Sequence, residues 1–134
     1  MSTTLVDSNV LLDVFTEDPT WSGWSSGALA RCAEHGELAI NPIVYAEVSV
    51  HFSGIEDLDD ALQADRFRRE ALPWEAAFLA GRCFLQYRRR GGVRTSPLPD
   101  FYVGAHAAVA GMALLTRDAA RYRTYFPTLK LIAP

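Results

Sequence analysis

Short unbroken apolar runs alternate along the chain with longer stretches whose apolar residues recur at helical spacing. Thr4-Leu5-Val6 is such a run and ends at Asp7, after which Ser8 to Phe15 carries apolar residues at helical spacing until Pro19 stops it. The pattern predicts a strand followed by a helix. Trp21 to His35 is helix-like and closes at Gly36, Glu37 to Asn41 reads as a second strand, and Pro42 is placed to open a helix through Glu47 towards Gly54. Ile55 to Arg66 and Trp74 to Arg90 are two more helical stretches, the second ended by Gly91-Gly92, and Pro97 and Pro99 punctuate the loop that follows. A helix runs from about Asp100 to Ala110, Ala113 to Thr116 is a buried-type strand, Asp118 to Tyr122 forms a helical turn, and Lys130-Leu131-Ile132 is a last short strand. Strands alternating with helices imply an α/β protein with a parallel sheet.

The 134 residues, 49% of them apolar, suffice for one sizeable core, so a single domain over residues 1–134 is expected. The first residues lack a basic segment followed by a long apolar stretch, and no later run reaches bilayer length, so the chain reads as cytoplasmic and without a membrane span. Cys32 and Cys83 match neither a CxxC pair nor a disulfide framework, which fits a reducing compartment and argues against structural zinc. A net charge of −3 argues against a protein that coats nucleic acid non-specifically, but leaves room for a local basic patch.

Four acids stand at comparable places. Asp7 ends the first strand, Asp118 follows a later one, Asp100 opens a helix, and Glu47 sits inside the helix after the second strand. In open α/β sheets ligands bind outside the carboxyl ends of the strands, so acids there can face one pocket. Close carboxylates repel, and a cation relieves that cost; hard oxygen donors without cysteine suit Mg²⁺ or Mn²⁺, which can activate water for phosphodiester cleavage. The alternative is that Asp7, Asp100 and Asp118 are each only helix caps. Glu47 is harder to explain that way, because Ile43 and Val50 flank it in an apolar stripe where an unpaired carboxylate is costly to bury.

The segments Leu5-Val6-Asp7-Ser8-Asn9, Tyr45-Ala46-Glu47-Val48, Leu98 to Ala107 and Leu115-Thr116-Arg117-Asp118 resemble the PIN-domain ribonucleases in order and spacing, over nearly the whole chain. Glu75 to Gly92 and Arg121 to Pro127 look like VapC toxins of type II toxin–antitoxin systems in particular. The resemblance implies a PIN-like three-layer α/β/α fold with a short central parallel sheet, and a metal-dependent endoribonuclease. It carries the site onto Asp7, Glu47, Asp100 and Asp118, with Asp7 and Asp100 as direct ligands of Mg²⁺ (Mn²⁺ as the substitute), Glu47 and Asp118 completing the cage, and Asn9 and Thr116 supporting it. It also implies an RNA substrate, a small antitoxin partner and a toxin homodimer. Some relatives carry a further acid shortly after the last motif aspartate; here Ala119, Ala120 and Arg121 follow Asp118, which puts a second metal site in doubt.

Other residues are read more plainly. His51, four residues after Glu47, shares its helical face but has no second histidine nearby and reads as structural; His106 points away from Asp100; His35 sits at a helix end. Arg88, Arg89, Arg90 and Arg94, beside a Gly91-Gly92 hinge, either grip RNA phosphate or form a solvated helix end. Trp21, Trp24 and Trp74 read as core or interface. A rival from another class, a non-catalytic Mg²⁺-binding receiver-like interaction module, needs a lysine near the acids, and Lys130 is the only lysine; a phosphatase is a third reading.

Overall fold

The computed structural model describes residues 2–134; Met1 lies outside the described residues. Five strands form one sheet in the order β3-β2-β1-β4-β5, with every neighbouring pair parallel. In chain order the elements are β1 (Ser2–Val6), α1 (Ser8–Phe15), α2 (Ser22–His35), β2 (Gly36–Ile40), α3 (Pro42–Ser49), α4 (Ile55–Ala61), β3 (Phe67–Arg69), α5 (Trp74–Arg89), α6 (Pro99–Ala110), β4 (Ala113–Leu115), α7 (Ala120–Tyr125) and β5 (Leu131–Ile132). The helices sort into two groups: α1 packs on α2 and α3, and α3 on α4, while α5 packs on α6 and α6 on α7. This is the grouping that right-handed crossovers produce when the chain moves outward from β1 to β3 and then returns past β1 to β4 and β5. The result is the three-layer α/β/α arrangement.

The central strand β1 is apolar where it is covered on both faces, and Leu5 and Val6 are fully buried with Ala39, Ile40, Leu114 and Leu115 of the strands beside it. Helix starts follow local chemistry. Asn41 caps α3 by accepting a hydrogen bond from Val44 N at 2.9 Å, with Pro42 at the first helical position. Gly111, at φ 67°, ends α6 in the left-handed conformation that a side chain disfavours. Buried His106 is held near Asn41, its Nδ1 3.1 Å from the amide Nδ2, and burial keeps its pKa below the usual imidazole value.

Three expectations are corrected. The helix read over Ile55 to Arg66 stops at Ala61, and Phe67–Arg69 forms an edge strand beside β2. Only Phe67 of that strand is buried, whereas Arg68 bonds Glu37 and Glu70 and Arg69 bonds Asp59, so its sequence is that of a charged sheet edge rather than an alternating strand. The helix through Glu47 ends at Ser49, leaving Val50 78% exposed and His51 exposed beyond the helix, so neither the apolar stripe nor the shared histidine face exists. The Gly91-Gly92 hinge is a closed helix end: Gly92 N donates to Tyr87 O at 2.9 Å, and Arg88 Nη1 donates to the carbonyls of Gly92 and Arg94.

One close approach fixes the site-bearing helices. The ring of Phe126, just after α7, lies against Gly104 of α6 where a Cβ would overlap it, and Tyr125 packs edge-on against Phe101 with ring centroids 5.0 Å apart. Gly104→Ala therefore lowers stability by about 1–2 kcal/mol, overpacking outweighing the gain in helix propensity. Gly81→Ala in α5, where an added methyl meets nothing within 4 Å, raises it by about 0.5–1 kcal/mol. Urea denaturation of the two variants checks the opposite signs.

Candidate active site

Strand order reverses between β1 and β4, and this is the switch point at which an α/β sheet opens a crevice beyond its strand ends. Asp7 leaves β1 there and Thr116 leaves β4, with Asp7 N bonded to Leu115 O at 2.9 Å. The Asp7 carboxylate is buried and its two oxygens are divided among three segments. Oδ1 accepts from Ser8 N at 2.8 Å; Oδ2 accepts from Thr116 Oγ at 2.9 Å and from the Tyr122 hydroxyl at 2.8 Å. Asp7 thus caps α1 and at the same time faces the crevice.

Asp100 lies in the first turn of α6, where Leu98 is the N-cap, so it is not a cap. Its Oδ1 is 3.3 Å from the Tyr122 hydroxyl and its Oδ2 3.1 Å from Arg121 Nη1. One phenol therefore spans both carboxylates, and Asp7 Oδ2 and Asp100 Oδ1 are at most about 6 Å apart. Glu47, half-buried on α3, accepts from Ser8 Oγ at 3.0 Å through Oε1. Asp118 makes no capping bond to α7 and is exposed at the rim; its backbone N donates to Thr116 Oγ at 3.2 Å. Asn9 spans the same loop, its Nδ2 3.2 Å from Thr116 Oγ and its Oδ1 accepting from Arg117 N at 3.0 Å.

The structure thus gathers Asp7, Asp100 and Glu47 around Ser8 and Tyr122, keeps Asn9 and Thr116 beneath them, and leaves Asp118 at the edge. Burial, with the Asp100 charge nearby, pushes the Asp7 carboxyl up to about 6 against the lowering effect of Tyr122, Thr116 and Ser8. Glu47 is also raised, by burial first and then by the Asp7 and Asp100 charges that oppose the Ser8 hydrogen bond. Burial and the same three acids push Tyr122 well above the ordinary phenol, so it remains a donor. Among the described residues, no three acidic, histidine or cysteine side chains are disposed to ligate one ion as they stand. Mg²⁺ commonly takes one or two carboxylates and keeps waters in its other positions, so the Asp7–Asp100 pair has the donor chemistry and excess negative charge that such an ion requires.

A family model for the PIN domain matches residues 4–127. The chain belongs to the PIN domain family. No curated protein sequence shows significant similarity to it. Among solved structures, this PIN domain is similar to a chain of VapBC2 from Rickettsia felis bound to a DNA fragment from its promoter, at 18% identity and TM-score 0.74 over 98% of both chains. VapBC-1 from nontypeable Haemophilus influenzae is similar at 15% identity and TM-score 0.73, over 98% of this chain and 97% of that one. A toxin–antitoxin complex from Klebsiella pneumoniae follows at 20% identity and TM-score 0.70, over 96% and 95%. These likenesses agree with the parallel sheet and its flanking helices.

Several contributors escaped the sequence reading. Tyr122 and Arg121 lie on α7, and nothing in their local spacing tells that they reach Asp100. Asp13 is a second buried acid, held by Ser25 Oγ at 2.7 Å and by Arg117 through Nε at 2.9 Å and Nη2 at 3.1 Å; this clasp ties the loop carrying Asp118 to α1 and α2, with the Arg117 guanidinium over the Trp21 ring. A cavity of about 690 Å³ lined by Leu29, Ala33, Leu38 and Phe67 contains none of the four acids.

The elevated Asp7 pKa sets a direction. Protonated Asp7 costs nothing below the unfolded value of 3.8, and its ionisation destabilises the fold as pH rises through about 6, by on the order of 3 kcal/mol when complete. Asp7→Asn lacks that penalty. In EDTA its stability relative to the unaltered protein increases by about 2 kcal/mol between about pH 4.5 and pH 7.5, measured by urea denaturation at the two values.

Proposed function

We propose that this PIN domain is a divalent-metal-dependent endoribonuclease and the toxin of a VapBC-type toxin–antitoxin pair. The observation that carries the reading is the convergence of Asp7 and Asp100 on one phenol at the switch point of the sheet, leaving net negative charge at the mouth of a crevice. Mg²⁺, or Mn²⁺ in its place, would supply an activated water and neutralise charge on the phosphate under attack. Asp7 and Asp100 would hold it, with Glu47 and Asp118 completing the cage. Thr116 and Ser8 N fix the orientation of Asp7, Asn9 fixes Thr116, and Ser8 Oγ turns Glu47 towards the pair.

Single-stranded or looped RNA is the substrate proposed, because unpaired segments present their phosphates accessibly. Of the basic run, Arg88 is committed to loop carbonyls and Arg90 lies over Tyr125, 5.3 Å from its ring centroid; exposed Arg89 and Arg94 are the phosphate contacts proposed. The receiver-like rival loses support, since Lys130 precedes β5, on the far side of the sheet from the strand ends that carry the acids. Incubating the purified chain with total RNA in Mg²⁺ or Mn²⁺ should give discrete fragments that EDTA, Asp7→Asn and Asp100→Asn each abolish, with at least a hundredfold loss of rate in the folded variants. Intact RNA under all conditions would refute the nuclease.

The partners proposed are a small antitoxin, as in the VapBC complexes, and a second copy of the chain. Support for the second copy is the outer face of α5, where Trp74 is 88% and Phe78 64% exposed and Leu85 continues the same face. An apolar face of this kind is a frequent site of association between proteins. Sedimentation should show a dimer that Trp74→Glu with Phe78→Glu converts to monomer.

A further inference from the structure

We propose that Arg121 is a built-in counter-ion of Asp100 that competes with a divalent cation for the acid pair. The inference rests on the metal-dependent reading above and adds to it a competitor within the same chain. Consecutive residues of α7 reach Asp100 from two sides: the buried Tyr122 hydroxyl approaches Oδ1 at 3.3 Å and Arg121 approaches Oδ2 at 3.1 Å. Asp7 has both oxygens engaged as well. The neighbouring cation, Arg117, is taken by Asp13 in a two-pronged ion pair and has no freedom to serve the site. Arg121 therefore offsets one of the pair's two charges, that of Asp100, in the absence of metal.

The two α7 contacts differ in how firmly they are held. Tyr122 is enclosed, and the approach of Phe126 to Gly104 pins the end of its helix against α6. Arg121 is 44% exposed and Asp100 35% exposed in their ion pair, so the guanidinium can swing into water while the helix remains in place. An acid at this position would add a ligand; an arginine adds a positive charge and occupies a ligand oxygen. Both effects weaken cation binding, and the exposed geometry keeps them moderate and sensitive to salt.

The test is Mn²⁺ affinity, read from the electron paramagnetic resonance signal of free Mn²⁺ during titration of the full chain without RNA. Arg121→Gln should bind Mn²⁺ about three- to tenfold more tightly, Arg121→Lys within about twofold of the unaltered protein, and the gap should narrow as KCl is raised. Asp100→Asn serves as the weakened control. If Arg121→Gln binds no more tightly while Asp100→Asn still loses affinity, the counter-ion is refuted and the metal site stands. If neither the unaltered chain nor Arg121→Gln takes up Mn²⁺, the metal site fails and the counter-ion with it.

Discussion

A carboxylate enclosed at the end of the central strand is the constraint on which the rest of the structure depends. Asp7 follows two fully buried residues, and its burial raises the energy of its charged form. Its three donors come from α1, from the end of β4 and from α7, which brings distant parts of the chain to one point. Removing water from the carboxylate and supplying fixed donors orients it towards the crevice, but the donors only partly offset the cost of burial. The remaining imbalance is what a cation would remove.

The molecule treats its two buried acids differently. Asp13 receives a two-pronged arginine and a serine hydroxyl, and serves to anchor the β4–α7 loop. Asp7 receives only neutral donors, and a second carboxylate is held close by. A fully satisfied acid contributes structure, whereas a partly satisfied pair retains capacity for a ligand. The packing of α7 on α6 makes this difference possible, because it sets Tyr122 between the acids and Arg121 at their open side.

Charge at the rim completes the arrangement. Asp118 in the β4–α7 connection and Arg121 in the first turn of α7 are both exposed, and the basic end of α5 lies beside the start of α6 through the Tyr87–Phe101 contact, with ring centroids 5.8 Å apart. Part of that basic end is structural, since Arg88 closes the loop, and part is free to meet a polyanion. The rim thus sets exposed cations and an exposed acid around the buried carboxylate.

The sequence by itself determined the alternation of strands and helices, the parallel sheet, the PIN resemblance and the placing of Asp7, Asp100, Glu47, Asn9 and Thr116 near strand ends or in the helices that follow them. These features are encoded locally, in short apolar runs, helical periodicity and punctuating prolines and glycines. Tertiary structure decided the rest. The edge strand Phe67–Arg69 exists because β2 offers it a ladder, and its charged residues hide that pairing from any local pattern. Glu47 is turned to the site by Ser8, 39 residues away, rather than set in an apolar stripe. Tyr122 and Arg121 reach Asp100 from α7, which packs on α6 where Gly104 admits the Phe126 ring. Such contacts depend on which surfaces meet after the chain has folded, and spacing along the chain carries no record of them.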